Sequence, residues 1–149
     1  MTTQIPIAEI IIRLFLSIVF AAALGWERQA RRKPAGLRTY MMVSLGAASF
    51  TIITLEFYQR ALLTINHVPS DPFRIIQGII GGIGFLGAGT IIQARGSVEG
   101  VTTAAGIWLM GAVGVASGSG YYAIAAIIVA FAFVVVSGVG ILEKRIFYK

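Results

Sequence analysis

The sequence DPFRIIQGIIGGIGFLGAGTII, residues 71–92, decides the fold class because its apolar part is long enough to cross a bilayer. No charged residue occurs between Ile75 and Ile92. Glycine inside a soluble helix costs about 1 kcal/mol relative to alanine, whereas in a membrane helix it lets a second helix approach closely. We therefore expect this helix to lie at the centre of a small membrane bundle. The glycines expected to pack against its neighbours are Gly78, Gly81, Gly82, Gly84, Gly87 and Gly89.

The composition supports a membrane protein. The 149-residue chain is 57% hydrophobic and 12% charged, which is about half the charged fraction of a soluble domain. Cysteine is absent and His67 is the only histidine, so thiol chemistry and a multi-histidine metal site within one chain are excluded. The net charge of +6 comes from basic residues that flank the apolar segments, so it does not indicate binding to nucleic acid.

Five apolar segments predict an all-α membrane protein, a compact bundle of five transmembrane helices within a single domain, residues 1–149. The segments are about 5–24, 37–55, 75–92, 101–117 and 121–142. Five crossings put the termini on opposite sides of the bilayer. Nine of the twelve Lys and Arg residues fall on one side and two on the other. The positive-inside rule then predicts that the N-terminus is outside and the C-terminus is cytoplasmic.

Arg13 and Glu9 are charged residues inside the first segment. Arg13 lies about 12 Å into it, approaching the midplane, and needs a partner there. Glu9 is one helical turn earlier on the same face, so both a polar pathway and an internal ion pair are open interpretations. Gln77 also needs hydrogen-bond partners, and it follows Asp71, a helix N-cap, and Arg74. The predicted intramembrane polar cluster is Glu9, Arg13, Asp71, Arg74 and Gln77.

A second polar cluster is predicted on the cytoplasmic side, where the first segment ends and the second and fourth begin. The free N–H groups at the starts of those two helices suit a carboxylate such as Glu27. In the alternative interpretation there is no joint cluster: the charged residues at the helix end are solvated, and the threonines only cap their own helices. Glu27 is also a candidate ligand for a metal ion such as magnesium. The members of this cluster are Glu27, Arg28, Arg38, Thr39, Thr102 and Thr103.

Several motifs between about residues 13 and 108 resemble the MgtC/SapB family. They are GWERQ (25–29), GLRT (36–39), DPFR (71–74) with Gln77, GIGFLGAG (82–89) and GVTTAA (100–105) with Trp108. The resemblance implies a multi-pass protein of the bacterial inner membrane. For MgtC-like members it also implies roles in growth at low magnesium, in virulence through survival inside macrophages, and in inhibition of the ATP synthase. The resemblance favours the short SapB-like form, which we expect to have no soluble C-terminal domain after the last segment.

Three functions compete on this sequence. We favour a regulatory role in magnesium homeostasis or low-magnesium adaptation, exerted in the lipid bilayer by packing against itself, as a dimer, or against a membrane partner such as the ATP synthase. The alternative is a small oligomeric transporter or channel for a cation such as magnesium. An enzyme is disfavoured because no nucleophile–base pair or metal-ligand set is visible, and no cofactor is expected.

Overall fold

The computed structural model describes residues 3–64, 71, 73–94 and 96–140, and these residues form a helical bundle. His67 and residues 141–142, the end of the predicted fifth segment, lie outside the described residues. The described helices are α1 (Ile7–Ala30), α2 (Leu37–Thr64), α3 (Phe73–Ala88), α4 (Val101–Gly118) and α5 (Tyr122–Phe133), which continues as the π-helix Val134–Val139. This confirms the predicted all-α membrane bundle.

Four of the described helices are long and apolar enough to span a membrane, namely α1, α2, α4 and α5 with its π-helical continuation. The glycine-rich helix α3 is shorter, with 16 residues. α1 continues six residues beyond the predicted boundary at residue 24, and α2 continues nine beyond residue 55. Both predicted boundaries were placed where charged residues begin, and those residues instead extend the helices.

The prediction that the third helix continues to residue 92 is wrong, because α3 ends at Ala88. Two short antiparallel strands follow, β1 (Ile92–Ala94) and β2 (Ser97–Glu99), with Ile92 opposite Glu99. Gly100 then joins β2 to α4 with a φ of 88°. A side chain on Gly100 would collide with the Thr90 carbonyl, so this tight connection requires glycine.

The centre of the bundle is α4, and the prediction that the glycine-rich α3 occupies it is wrong. α4 packs against α1, α2, α3 and α5. Ten of its 18 residues are buried, against three described as buried in α3. Gly114 and Gly118 of α4 allow this close packing, because a Cβ on Gly118 would lie 2.7 Å from the Ala48 carbonyl oxygen of α2, and one on Gly114 would collide with the Ser44 carbonyl.

Hydrophobic and polar contacts both hold the bundle together. Its fully buried side chains include Leu24, Tyr40, Ile107, Met110 and Val113. The Ser44 hydroxyl of α2 donates a hydrogen bond of 3.0 Å to the Ser17 carbonyl of α1. At the far end of α2, the Glu56 carboxylate accepts the backbone N–H groups of Gln4 and Ile5 at 2.9 and 2.6 Å. The N-terminal segment is therefore fastened to α2.

Candidate functional site

Arg13 connects the start of α1 to the end of α4. Its Nε lies 3.0 Å from Glu9 Oε1, and its Nη1 donates a hydrogen bond of 2.9 Å to the Gly118 carbonyl oxygen. The Tyr122 hydroxyl donates to the same Glu9 oxygen at 2.5 Å. Gly118 is the last residue of α4, so the guanidinium satisfies a carbonyl at the negative end of that helix. We call Glu9, Arg13, Gly118 and Tyr122 the Arg13 cluster.

The Arg13 cluster differs from the predicted one in its membership. The Arg13 guanidinium lies beside the α4–α5 turn, where α4 ends. Asp71, Arg74 and Gln77 are exposed on or before α3, which is not packed against α1. Asp71 instead caps α3, accepting the Phe73 N–H at 2.9 Å. The expected joint cluster of these three residues with Glu9 and Arg13 is therefore wrong.

Glu27 and Arg28 are buried at the opposite end of the bundle, where α1 ends and α4 begins. They are 8% and 3% exposed. Arg28 Nη2 donates a hydrogen bond of 2.8 Å to the Thr103 hydroxyl. Glu27 Oε1 lies 2.5 Å from Arg31 Nε in an ion pair without hydrogen-bond geometry. Among the described residues, Arg28 Nε and both Glu27 carboxylate oxygens have no hydrogen-bond partner.

A cavity of about 1060 Å³ with several charged lining residues opens at this end, and we call it the basic cavity. It lies between the end of α1, the loop that follows, the β1–β2 hairpin and the start of α4. Its charged and hydroxyl-bearing lining includes Arg28, Arg31, Lys33, Glu99, Thr102 and Thr103. Three cations therefore face one carboxylate across the cavity, next to the positive end of the α4 dipole.

The basic cavity includes part of the predicted cytoplasmic-side cluster. Arg28, Thr102 and Thr103 line it. Glu27 does not line it, but it forms an ion pair with Arg31, which does. The other two predicted members, Arg38 and Thr39, are exposed at the start of α2 and do not line the cavity.

Three further charged residues of the cavity were missed from the sequence, Arg31, Lys33 and Glu99. In the sequence, Arg31 and Lys33 count only toward the positive charge of a loop, and Glu99 lies in a short polar stretch between two apolar segments. No group of three or more His, Cys, Asp or Glu side chains suited to a metal ion occurs within the residues that the structure describes.

A separate apolar groove of about 690 Å³ runs between α2 and α3, and we call it the α2–α3 groove. Its lining includes Gly46 of α2 and Gly78 and Gly82 of α3, with Arg74 at one end. No described atom outside their own helix backbone lies within 4 Å of a Cβ built on any of these three glycines. The groove is therefore open at these three glycines, and apolar side chains of both helices complete its lining.

The other glycines of α3 were also expected to pack closely. Gly87 does so, since a Cβ there would lie 3.2 Å from the Ala104 carbonyl oxygen of α4. Gly81 and Gly84 have no such neighbour among the described residues, and Gly89 approaches only carbonyls of α3 itself. Among the described residues of one chain, close packing between helices is thus present at Gly87, and for the other five it stays a prediction.

Comparison with known proteins identifies relatives over most of the chain. This chain is 44% identical over 115 residues to the protein named "Putative magnesium transporter YhiD" of Escherichia coli K12. The match covers 77% of this chain and 53% of that protein. It is 36% identical over 126 residues to the protein MgtC of Brucella abortus, covering 85% and 49%. SrpB of Synechococcus elongatus is 34% identical over 141 residues, covering 89% and 75%.

The chain spans about half the length of YhiD and MgtC. No solved structure matches it. A family model described as the MgtC family matches residues 14–145, which include most of α1 and all of α2, α3, α4 and α5. On the strength of that match and of these relatives, the chain belongs to the MgtC family.

Proposed function

We propose that this protein acts in magnesium homeostasis as a regulatory protein of the bacterial inner membrane, and that it works by pairing with a second copy of itself through the α2–α3 groove. The openness of Gly78 and Gly82 carries the proposal. The two glycines are four residues apart, which is the spacing that lets two membrane helices cross in close contact. Membership of the MgtC family and the printed name of YhiD support the proposed role in magnesium homeostasis.

Charge at the end of the groove favours a second copy as its occupant. Asp71 and Arg74 are both exposed at the start of α3 and lie about one helical turn apart. In a two-fold dimer with parallel α3 helices, the two copies place these residues at the same height. Each Arg74 can then face the Asp71 of the other copy. This self-complementarity is what an isologous interface requires.

The test fills the groove and measures self-association in bilayers by energy transfer between labelled copies. Gly78→Leu and Gly82→Leu put side chains into the groove, and we expect association to weaken at least about tenfold. Gly81→Leu is the matched control, since Gly81 is in the same helix, has open space around it and does not line the groove. Growth of a deletion strain at low magnesium should fail with the groove variants and be restored by Gly81→Leu.

Two other outcomes would change the proposal. If the groove variants self-associate as wild type does, then pairing through this groove is wrong. If self-association is unaffected but low-magnesium growth fails, the groove binds another membrane protein, for which the membrane sector of the ATP synthase is the candidate.

The alternative function is a small oligomeric magnesium transporter, and the printed name of YhiD favours it. The cations Arg28, Arg31 and Lys33 around the basic cavity disfavour a path for Mg²⁺ through it, because like charges repel in a partly buried site. Proteoliposomes decide between the two, since a transporter gives magnesium flux above that of empty vesicles.

A further inference from the structure

We infer that the basic cavity is a binding site for a phosphate group, either free phosphate or the headgroup of a phospholipid. The site is independent of the α2–α3 groove and lies at the end of the bundle where α4 begins. Three features support it. They are an uncapped helix start, a buried arginine with an unused donor, and an excess of positive charge.

The start of α4 presents free backbone donors to the cavity. Its N-cap is Gly100, which makes no side-chain capping hydrogen bond. The first internal bond of the helix runs from the Ala104 N–H to the Gly100 carbonyl at 2.8 Å. The N–H groups before Ala104 therefore have no acceptor within the helix. Because Gly100, Thr102 and Thr103 line the cavity, this helix start faces the space where an anion would lie.

Arg28 is an independent indication of a ligand. Arg28 lines the cavity although it is only 3% exposed. Its Nη2 donates a hydrogen bond of 2.8 Å to the Thr103 hydroxyl. Its Nε–H has no hydrogen-bond partner among the described residues. A buried guanidinium donor without an acceptor is costly, and an oxyanion in the cavity would satisfy it.

The charges around the cavity leave an excess of positive charge. Glu27 forms an ion pair with Arg31, so the negative charge of Glu27 offsets the positive charge of Arg31. Glu99 offsets one of the two remaining cations, Arg28 and Lys33. The positive end of the α4 dipole adds to what is left. This charge suits a single phosphate group and opposes a divalent cation.

The cavity also has an apolar side, which includes Ile92 of the hairpin and Val136 of the π-helix. A phospholipid headgroup and free phosphate use the same hydrogen-bond donors. The apolar side adds a surface for the glycerol and acyl part of a lipid. The test therefore measures the two ligands separately.

Binding is measured with the whole protein in detergent. Inorganic phosphate is titrated by calorimetry at constant ionic strength against chloride, and bound phosphatidylglycerol is counted by native mass spectrometry with phosphatidylcholine as the reference lipid. Lys33→Gln is the main variant, because Lys33 is an exposed loop residue and its change leaves the core intact. Arg38→Gln is the matched control, since Arg38 is basic and exposed at the same end but does not line the cavity.

We expect Lys33→Gln to weaken phosphate or phosphatidylglycerol binding about tenfold and Arg38→Gln to leave it unchanged. Arg28→Lys keeps the charge but removes the Nε–H donor, and it should weaken binding by a similar factor. If Arg28→Lys does not fold, Lys33→Gln alone carries the test. An effect on the phosphate titration identifies free phosphate, and an effect on the lipid count alone identifies the headgroup. The inference is overturned if wild type binds neither ligand, or if Lys33→Gln and Arg38→Gln bind equally.

Discussion

The Arg13 guanidinium is shared between a carboxylate on its own helix and a carbonyl at the end of another. This geometry favours an ion pair that fixes helix packing over a polar pathway. Glu9 could be predicted as a partner because it is one turn away in the same helix. Gly118 and Tyr122 are more than 100 residues away along the chain, and only the bundle topology brings them to Arg13.

Replacing Arg13 by methionine tests this interpretation. The change leaves the Glu9 carboxylate without its cation and the Gly118 carbonyl without its donor, at similar side-chain length. We expect a loss of about 1–3 kcal/mol in the free energy of unfolding in mixed detergent micelles. Arg38→Met is the control, and its exposed side chain should change stability by less than about 0.5 kcal/mol. Equal stability of the two variants would contradict a structural role for Arg13.

At the scale of the helices, α3 and α4 show what a glycine-rich pattern does and does not reveal. Both patterns predict close helix contacts. In α4 the contacts are made within the chain, because Gly114 and Gly118 lie against the backbone of α2. In α3, Gly78 and Gly82 face an open groove. The sequence predicted the helices and their order. It could not predict which glycines are buried, because that depends on which helix lies at the centre of the bundle.

The two kinds of glycine should respond oppositely to the same substitution. Gly114→Ala brings a methyl group into the Ser44 carbonyl and within 2.7 Å of the Ala47 Cβ, so we expect a loss of about 1–3 kcal/mol in stability. Gly84→Ala meets no described atom within 4 Å, and the better helix former should stabilise the monomer by up to about 1 kcal/mol. Thermal unfolding of the monomer in detergent measures both. A destabilised Gly84→Ala monomer would show that α3 is packed on that side too.

At the scale of the whole molecule, the two predicted polar clusters are present only in part. The helix that runs from one cluster to the other is α4 and not α3. Arg13 contacts the end of α4, and Arg28 contacts its start through Thr103. The sequence pointed to both arginines, since charges within apolar segments need partners. It could not rank the neighbouring helices, because hydropathy reports which segments enter the membrane and is silent on their arrangement.

The orientation in the membrane stays a prediction of the charge distribution, and cysteine labelling can test it. The chain has no cysteine, so a single one can be introduced without background. We expect Thr3→Cys to react with a membrane-impermeant maleimide added outside spheroplasts or right-side-out vesicles. Lys33→Cys should react only after the membrane is opened. The unmodified chain is the control, and the reverse labelling pattern would invert the topology.

The central position of α4 also determines when the bundle can assemble during synthesis. α4 is the fourth helix to leave the ribosome, and it provides the main packing surface for α3. α1 and α2 can pair early, because they pack extensively against each other. α3 cannot pack against α4 until the chain has been synthesised to residue 118. Until then, Gly87 is exposed together with the two groove glycines of α3. During that interval, membrane chaperones and proteases meet a chain whose most glycine-rich helix still lacks its main packing partner.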